Sequence, residues 1–400
     1  MSRPVTRGLA ALLALGVVGG GVAACGEVDA RAGARNGLEN LRRAQVASFT
    51  VSLDDPSGSL SELPGAGVDA ARLRGASVRL TVDPPGTQSL GATPSPSSRP
   101  TDAAGALKAL KEAGSVELAV STREGDALVL RLVDGVLYAR VDQKVLSSLT
   151  GTPTDLGSAA KGLPGLEGPA TSLEKGRWIS ADLARLAADP GVSEALKGAG
   201  EGQEALPSDV DPALLARLAT DLRSALSGKV SSVERIDGDE VRVDLAVKAR
   251  DAARVLLEVL DRPAYRSLLS SAGEAGRDPA AALKEAREGL DRMPDVTLRA
   301  SAFVAEDHLR RVRVDLAGLG ALTGGASRTA GAALVVDVDD TADAVVAPPA
   351  AQVDAADGAV SGAVSGLSAL KGLEGLEDLE GLGDGELTPE ELRRWAEQQG

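Results

Sequence analysis

The sequence is poor in the residues on which most metal and thiol chemistry depends. Cys25 is the only cysteine and His308 the only histidine among 400 residues. An intramolecular disulfide is therefore impossible, and a zinc cage of Cys and His ligands is excluded. The sequence also lacks a GxSxG elbow, a P-loop and an HExxH motif. We predict that the protein is not an enzyme and that it has no catalytic residues, cofactor or metal site.

Aromatic residues are scarce as well, and basic residues are outnumbered by acidic ones, 43 against 58. Phe, Tyr and Trp make up 2% of the chain, whereas 43% of it is hydrophobic, so the core has to be built from Val, Leu and Ala. The formal net charge of −15 argues against nucleic acid as a partner and against a polybasic membrane patch. Arg outnumbers Lys, and Ala and Gly are abundant, which suggests a GC-rich genome.

The N-terminus has the layout of a lipoprotein export signal. Two arginines, an apolar run at Leu9–Val18 and small residues through Ala24 precede Cys25. We predict a signal peptide over 1–24, cleavage between Ala24 and Cys25, and acylation of the cysteine. The protein is then anchored by lipid to the extracytoplasmic face of the cell membrane. The composition, together with this signal, suggests that the organism is an actinobacterium. An uncleaved membrane anchor is disfavoured because the run is shorter than the roughly 20 residues that a span needs.

Alternating apolar and polar residues predict a series of half-buried strands. They lie at about 49–53, 77–83, 115–122, 128–132, 136–141, 233–236, 241–247, 296–303, 309–316 and 334–338. Short turns such as Asp134-Gly135 and Asp237-Gly238 join several of them into antiparallel meanders. Helices are predicted at 37–46, at 181–188 with Ser180 as its cap, at 249–260, and after Asp211-Pro212 and Asp278-Pro279.

These elements give an α+β fold class with a simple domain organisation. A tether at 25–36 leads to one domain at 37–350, made of two halves at about 37–190 and 205–350. Pro-, Ser- and Gly-rich stretches at 84–101 and 151–170 interrupt the first half.

The order of motifs resembles the LppX/LprG-type lipoproteins of actinobacteria, within the Lol-like lipid-carrier superfamily. The similar stretches are VDGVLYARV at 133–141, GRWISADL at 176–183, VERIDGDEVRVDLAV at 233–247 and VTLRASAFVAEDHLRRVRVDL at 296–316. The resemblance covers about 37–350. The two insertions in the first half and a long C-terminal tail depart from the family pattern.

The resemblance implies a curved, unclosed antiparallel sheet, a half-barrel, wrapped over helices and enclosing an apolar cavity. Relatives bind acylated lipids there and are thought to move them across the cell envelope. The expected partners are an acyl lipid or glycolipid, the membrane through the N-terminal anchor, and an envelope protein. The cavity candidates are Phe49, Val51, Leu53, Val116, Leu118, Val120, Leu128, Leu130, Leu132 and Tyr138.

Two alternatives to this interpretation stay open. The apolar strand residues can pack on the helices and leave no cavity, because periodicity does not distinguish a filled half-barrel from an empty one. The protein is then a non-carrier interaction or scaffold lipoprotein of the envelope. His308, in a predicted hairpin turn, is either a surface residue or a lone ligand or base.

The tail at 351–400 is predicted to be a flexible, low-complexity acidic segment with a short terminal helix. It carries 11 acidic and 3 basic residues, and leucine recurs every third residue from Leu367 to Leu382, a period that fits neither helix nor strand. Residues 380–391 resemble an EF-hand loop, but Leu382 stands at the third ligand position, where it cannot bind calcium. A capping box that starts at Thr388 is the better interpretation of this stretch.

Overall fold

The computed structural model describes residues 30–58, 73–91, 114–150, 167–188, 212–226, 229, 231–237, 240–265, 279–290, 293–322 and 331–356. The predicted signal peptide, Cys25 and residues 357–400 lie outside these ranges, as do parts of the two predicted insertions. None of the helices in the described ranges is both long and apolar enough to cross a membrane.

The described strands form one twelve-stranded sheet. The strands are β1 Ala47–Asp54, β2 Ser77–Asp83, β3 Ser115–Thr122, β4 Gly125–Val133, β5 Val136–Val141, β6 Trp178–Asp182, β7 Ser231–Asp237, β8 Glu240–Lys248, β9 Thr297–Ala305, β10 His308–Asp315, β11 Ala333–Asp339 and β12 Val353–Ala355. Their order is β12-β6-β5-β4-β3-β2-β1-β11-β10-β9-β8-β7. The two halves expected from the sequence are therefore joined edge to edge, through the pairing of β1 with β11.

The sheet is curved and unclosed, and the fold is α+β, as the sequence predicts. Every described strand pair is antiparallel except β12 with β6, which is parallel. In that pair Val353 lies beside Trp178, so the sheet extends past the boundary predicted at 350. The first residues of the predicted tail belong to the folded domain.

The tight turns between strands follow from residues that tolerate positive φ. The β4–β5 turn places Asp134 at φ 53° and Gly135 at φ 79°, and the β9–β10 turn places Glu306 at φ 51° and Asp307 at φ 61°. Two consecutive residues with positive φ are typical of hairpin turns whose twist matches that of the flanking strands. The local sequence thus encodes both hairpins.

Eight helices accompany the sheet in the described ranges. They are α1 Ala30–Arg43, α2 Gln143–Thr150, α3 Glu167–Glu174, α4 Leu183–Ala188, α5 Pro212–Leu226, α6 Ala249–Leu260, α7 Pro279–Leu290 and α8 Leu316–Leu322. Three predictions need correction. α1 begins inside the expected tether, Ser180 lies in β6 and does not cap α4, and α3 extends into the expected 151–170 connection.

The main core lies under β8 to β10. Side chains such as Leu245, Ala302 and Val312 are at most 5% exposed on the face that α1, α5, α6 and α7 cover. The amphipathic pattern of α6 supplies one side of this core, with Val255 and Val259 among its buried residues. Helices therefore cover this face of the sheet at β8 to β10.

Candidate functional site

The predicted cavity residues of β1, β3 and β4 lie on one face of the sheet because the strand register aligns them. Phe49 pairs with Leu80, and Leu80 pairs in turn with Leu118. Leu118 then pairs with Leu130 on the next strand. Paired residues of neighbouring antiparallel strands point to the same side. The structure thus brings nine of the ten candidates together.

We call this side of β1 to β5 the apolar face. Its residues are Phe49, Val51, Leu53, Val78, Leu80, Val82, Val116, Leu118, Val120, Leu128, Leu130, Leu132, Leu137, Ala139 and Val141. The alternation of apolar and polar residues in β2 and β5 is visible in the sequence, but Val78, Leu80 and Leu137 are not among the ten predicted cavity residues.

Large side chains on the apolar face remain in contact with solvent. Val78 is 42% exposed, Leu80 39% and Leu137 36%, and the nine candidates are partly exposed. The same face is buried under helices at β8 to β10. Because a monomeric protein seldom leaves contiguous apolar area in water, the apolar face is a candidate binding surface.

Two candidates lie at the border of the apolar face and pack against neighbouring cores. Phe49 contacts the main core, and Leu53 contacts a small cluster formed by Leu316 and Ala332. These two residues pack against a core, as the alternative to a cavity-lining role predicts. The open part of the apolar face is therefore centred on β2 to β5.

Tyr138 does not belong to the apolar face. It pairs with Arg131 on β4, one position out of step with Leu130 and Leu132, so its side chain points to the opposite side of the sheet. There it packs against Ala119, Val129 and Trp178. The prediction that Tyr138 shares a cavity with the other nine is wrong, because the period of two places it with the polar residues.

The opposite side of the same strands, the polar face, is held by charge pairs. Glu117 is 7% exposed and accepts hydrogen bonds from Arg79 at 3.0 Å and from Arg131 at 2.5 Å. The guanidinium groups of Arg131 and Arg140 lie 5.0 and 5.1 Å from the ring centroid of Trp178. These contacts hold neighbouring strands together on the polar face, so that the charged side chains of these strands do not lie on the apolar face.

A segment that we call the C-terminal strap, residues 341–352, runs over the polar face from β11 to β12. The Val345 N–H donates to Asp83 at 3.0 Å, and Arg131 donates to the Val346 carbonyl at 3.1 Å. This route places the end of the described chain at the β6 edge of the sheet.

A bidentate ion pair links β12 to the residue that precedes β6. Arg177 donates to both carboxylate oxygens of Asp354, at 2.7 and 2.8 Å. The hydrogen bonds from Arg177, and a further one from Ser172, lower the pKa of Asp354 from 3.8 to about 2. The same pairing raises the pKa of Arg177. The carboxylate is therefore ionised at every physiological pH.

His308 is half-buried at the start of β10 and pairs with a buried carboxylate. Its Nδ1 lies 2.6 Å from Asp340 Oδ2, and the Asp340 side chain is 2% exposed. The other oxygen, Oδ1, has no hydrogen-bond partner among the described residues and lies 3.9 Å from Arg310. Within the described ranges no three His, Cys, Asp or Glu side chains are grouped to hold a metal ion.

Two clefts have linings that are largely polar, and only Val141 of the apolar face contributes to one of them. One, of about 410 Å³, is lined by mixed residues that include Arg242, Asp244 and Ser301. The other, of about 500 Å³, lies beside α2 and includes Asp142 and Lys144. None of the ten predicted cavity residues lines either cleft. Charged linings of this kind do not suit an acyl chain.

Comparisons with known proteins show a similarity at the level of solved structures only. No family model and no curated protein matches the chain. Among solved structures, the chain is similar to the crystal structure of the lipoprotein LppX from Mycobacterium tuberculosis. The alignment covers 79% of this chain and 97% of LppX, with 9% sequence identity and a TM-score of 0.25. The fold assignment rests on the strand pairing of this chain itself.

Proposed function

We propose that this protein is a membrane-anchored lipoprotein of the extracytoplasmic side that binds acylated lipids on its apolar face. The observation that carries the proposal is the exposure of Val78, Leu80 and Leu137 on an otherwise aliphatic sheet surface. No catalytic role is proposed.

The chemistry of the apolar face suits an acyl chain. Its side chains are almost all Val and Leu, and the charged partners of the same strands lie on the polar face. Each CH₂ group that leaves water gains about 0.8 kcal/mol, so a chain of more than ten carbons supplies ample free energy for binding. A sugar would instead require aromatic platforms, which the apolar face lacks except for Phe49 at its border.

The proposed anchor places this surface close to lipid. Cys25 precedes the start of α1 by only five residues, and α1 packs on β10. Anchoring at Cys25 therefore holds the domain within a short distance of the membrane, which is the source of the proposed ligand. Membership of the LppX/LprG-type family and transfer of lipid between membranes belong to the same proposal.

The test is binding of a fluorescent C16 fatty acid by the chain from residue 26 onward, in wild-type form and with Leu80→Asp. A carboxylate placed at an exposed position of the apolar face should weaken the dissociation constant about tenfold, or ~1.4 kcal/mol. The matched control is Val346→Asp. Val346 is 63% exposed on the polar face, and its replacement introduces the same charge away from the apolar face.

The control variant should bind the probe as the wild type does. Equal weakening by both variants, or a wild type that retains no acyl ligand in native mass spectrometry, contradicts the proposal. In the second case an envelope protein becomes the better candidate for the occupant of the apolar face.

A further inference from the structure

The cleft beside α2 begins where the apolar face ends. We call it the α2 cleft; it measures about 500 Å³ and is lined by residues 141–144, Ser147 and residues 174–176. Val141, the last residue of β5, belongs to the apolar face through its pairing with Leu128 and also lines the α2 cleft. A ligand in the α2 cleft therefore lies at the margin of the apolar face.

A continuous row of apolar residues leads from the α2 cleft across the sheet. Val141 pairs with Leu128, and Leu128 pairs in turn with Val120. Val120 pairs with Val78, which is 42% exposed, and Val78 pairs with Val51. Four strand spacings separate the two ends of this row, or about 19 Å. The row offers an acyl chain a path over β5 to β1 that starts at the α2 cleft.

The α2 cleft carries charges of both signs. Lys144 and Lys175 line it together with Asp142 and Glu174, and all four residues are exposed. Within the described part of the chain, neither Lys144 nor Glu174 forms an ion pair. Two ammonium groups and two carboxylates in one cleft complement a ligand that carries both a negative and a positive group.

Gln143 adds a hydrogen-bond donor to this lining. Its Nε2 atom is buried and has no hydrogen-bond partner among the described residues, and Gln143 itself lines the α2 cleft. Buried polar atoms in proteins are almost always hydrogen-bonded, so a donor of this kind calls for an acceptor. A phosphate oxygen is a strong acceptor and interacts favourably with lysine side chains as well.

We propose that the α2 cleft holds the zwitterionic headgroup of a lipid, a phosphate joined to an ammonium group, while the acyl chain follows the row from Val141 to Val78. The inference rests on the proposed function for the acyl chain and adds the chemistry of the headgroup. The phosphate interacts with the two lysines and Gln143, and the ammonium group interacts with Glu174. The polar cleft and the apolar face then serve one amphipathic ligand.

Headgroup preference tests the inference on the chain from residue 26 onward. The ligands share one C16 acyl chain and differ in headgroup: zwitterionic lysophosphatidylethanolamine, anionic lysophosphatidylglycerol and neutral monoacylglycerol. We expect the zwitterionic lipid to bind about fivefold more tightly than either of the others, because exposed ion pairs contribute modest free energies. The measurement is a titration of the protein with each lipid below its micelle concentration.

Variants of the α2 cleft should change this preference in different ways. Lys144→Gln should weaken the binding of both phospholipids, whereas Glu174→Gln should weaken only that of the zwitterionic one. The matched controls are Lys284→Gln and Glu285→Gln, which alter exposed residues of α7. The controls should keep the wild-type preference. A preference that survives both cleft variants, or one that the controls reduce equally, overturns the inference.

The same titrations separate this inference from the proposed function. If none of the lipids binds, the proposed function and the inference both fail. If all of them bind with one affinity, the proposed function stands and the headgroup assignment is wrong. Phosphoethanolamine without an acyl chain should bind at least about tenfold more weakly than the lysolipid, since it lacks the apolar contacts. Equal binding would make the α2 cleft a site for a small zwitterion and overturn its link to the apolar face.

Discussion

At the scale of single residues, position in the strand decided which side chains share a surface. Leu130 and Tyr138 are both apolar and belong to paired strands, yet Tyr138 pairs with Arg131 and points to the polar face. Ala119 and Val129, which alternate with the predicted candidates, are at most 2% exposed on the polar face. Trp178, Tyr138 and Val353 pack against these two residues, and hydropathy along a single strand does not reveal such distant contacts.

The ion pair between Arg177 and Asp354 makes the β6 edge sensitive to acid. The pKa of Asp354 in the folded protein, about 2, lies below its ordinary value of 3.8. The pair therefore stabilises the edge fully above pH 3.8 and loses its effect as the pH falls through 2. We expect Asp354→Asn to speed amide hydrogen exchange in residues 353–356 at pH 6, and wild type and variant to converge near pH 2.

Exchange rates in that experiment need correction for the intrinsic pH dependence of the amides. Glu39→Gln is the control, since Glu39 pairs with Arg43 on the exposed surface of α1, far from β12. It should leave residues 353–356 unchanged at both pH values. A wild-type protection that is constant from pH 6 to pH 2 would contradict the role of the carboxylate.

At the scale of elements, local signals identified most strands and several helices. The Asp-Pro dipeptides predicted the starts of α5 and α7, which begin at Pro212 and Pro279. α2 was not predicted, although its sequence contains a capping signal. The Asp142 side chain caps the helix by accepting hydrogen bonds from the backbone N–H groups of Lys144 and Val145. α4 is capped in the same way by Asp182, two residues after the predicted cap.

The packing of α1 on the sheet depends on one glycine. A Cβ at Gly37 would lie 2.9 Å from the Leu309 backbone nitrogen, which is closer than van der Waals contact allows. Alanine normally favours a helix over glycine by up to about 1 kcal/mol, but overpacking costs about 1–3 kcal/mol. We expect Gly37→Ala to lower the free energy of unfolding by about 1 kcal/mol in urea titrations.

The matched control for this prediction is Gly168→Ala in α3. A Cβ at Gly168 has no neighbour within 4 Å, so the intrinsic helix preference acts alone there. That variant should be as stable as the wild type or up to about 1 kcal/mol more stable. If Gly37→Ala is also stabilising, α1 does not lie against β10 as closely as described.

At the scale of the whole molecule, the two halves of the chain share one sheet, and both contribute apolar residues to the same side of it. Pairs such as Val51 with Val336 join strands that are far apart in sequence. Helices occupy the face at β8 to β10, and the apolar face at β1 to β5 stays partly open. The strap links the halves a second time on the polar face.

The proposed location of the molecule depends on Cys25. Two acyl chains on that residue anchor a protein stably, because each buried CH₂ contributes about 0.8 kcal/mol and one chain alone gives only marginal binding. We expect labelled palmitate to appear on the wild type, and Cys25→Ser to move the protein from the membrane fraction to the soluble fraction. A Cys25→Ser protein that remains bound after a carbonate wash would contradict lipid anchoring.

The sequence by itself determined ten of the twelve described strands, the turns between several of them, and the aliphatic nature of the interior. These features depend on residues close together in the chain, such as the period of two in β3 and β4 or the Asp134-Gly135 turn, so local chemistry is sufficient to encode them. Alternation within a strand fixes which residues share a side, so nine of the ten predicted candidates do lie together on the apolar face.

Only the tertiary structure decided which apolar residues are covered. The pairing of β1 with β11, the route of the strap and the packing of α1 on β10 bring together residues that are more than 200 positions apart. Burial depends on those distant contacts, so Val78 and Leu80 have the same pattern as the buried Val243 and Leu245 although their exposure differs. The open apolar face is a property of the assembled sheet.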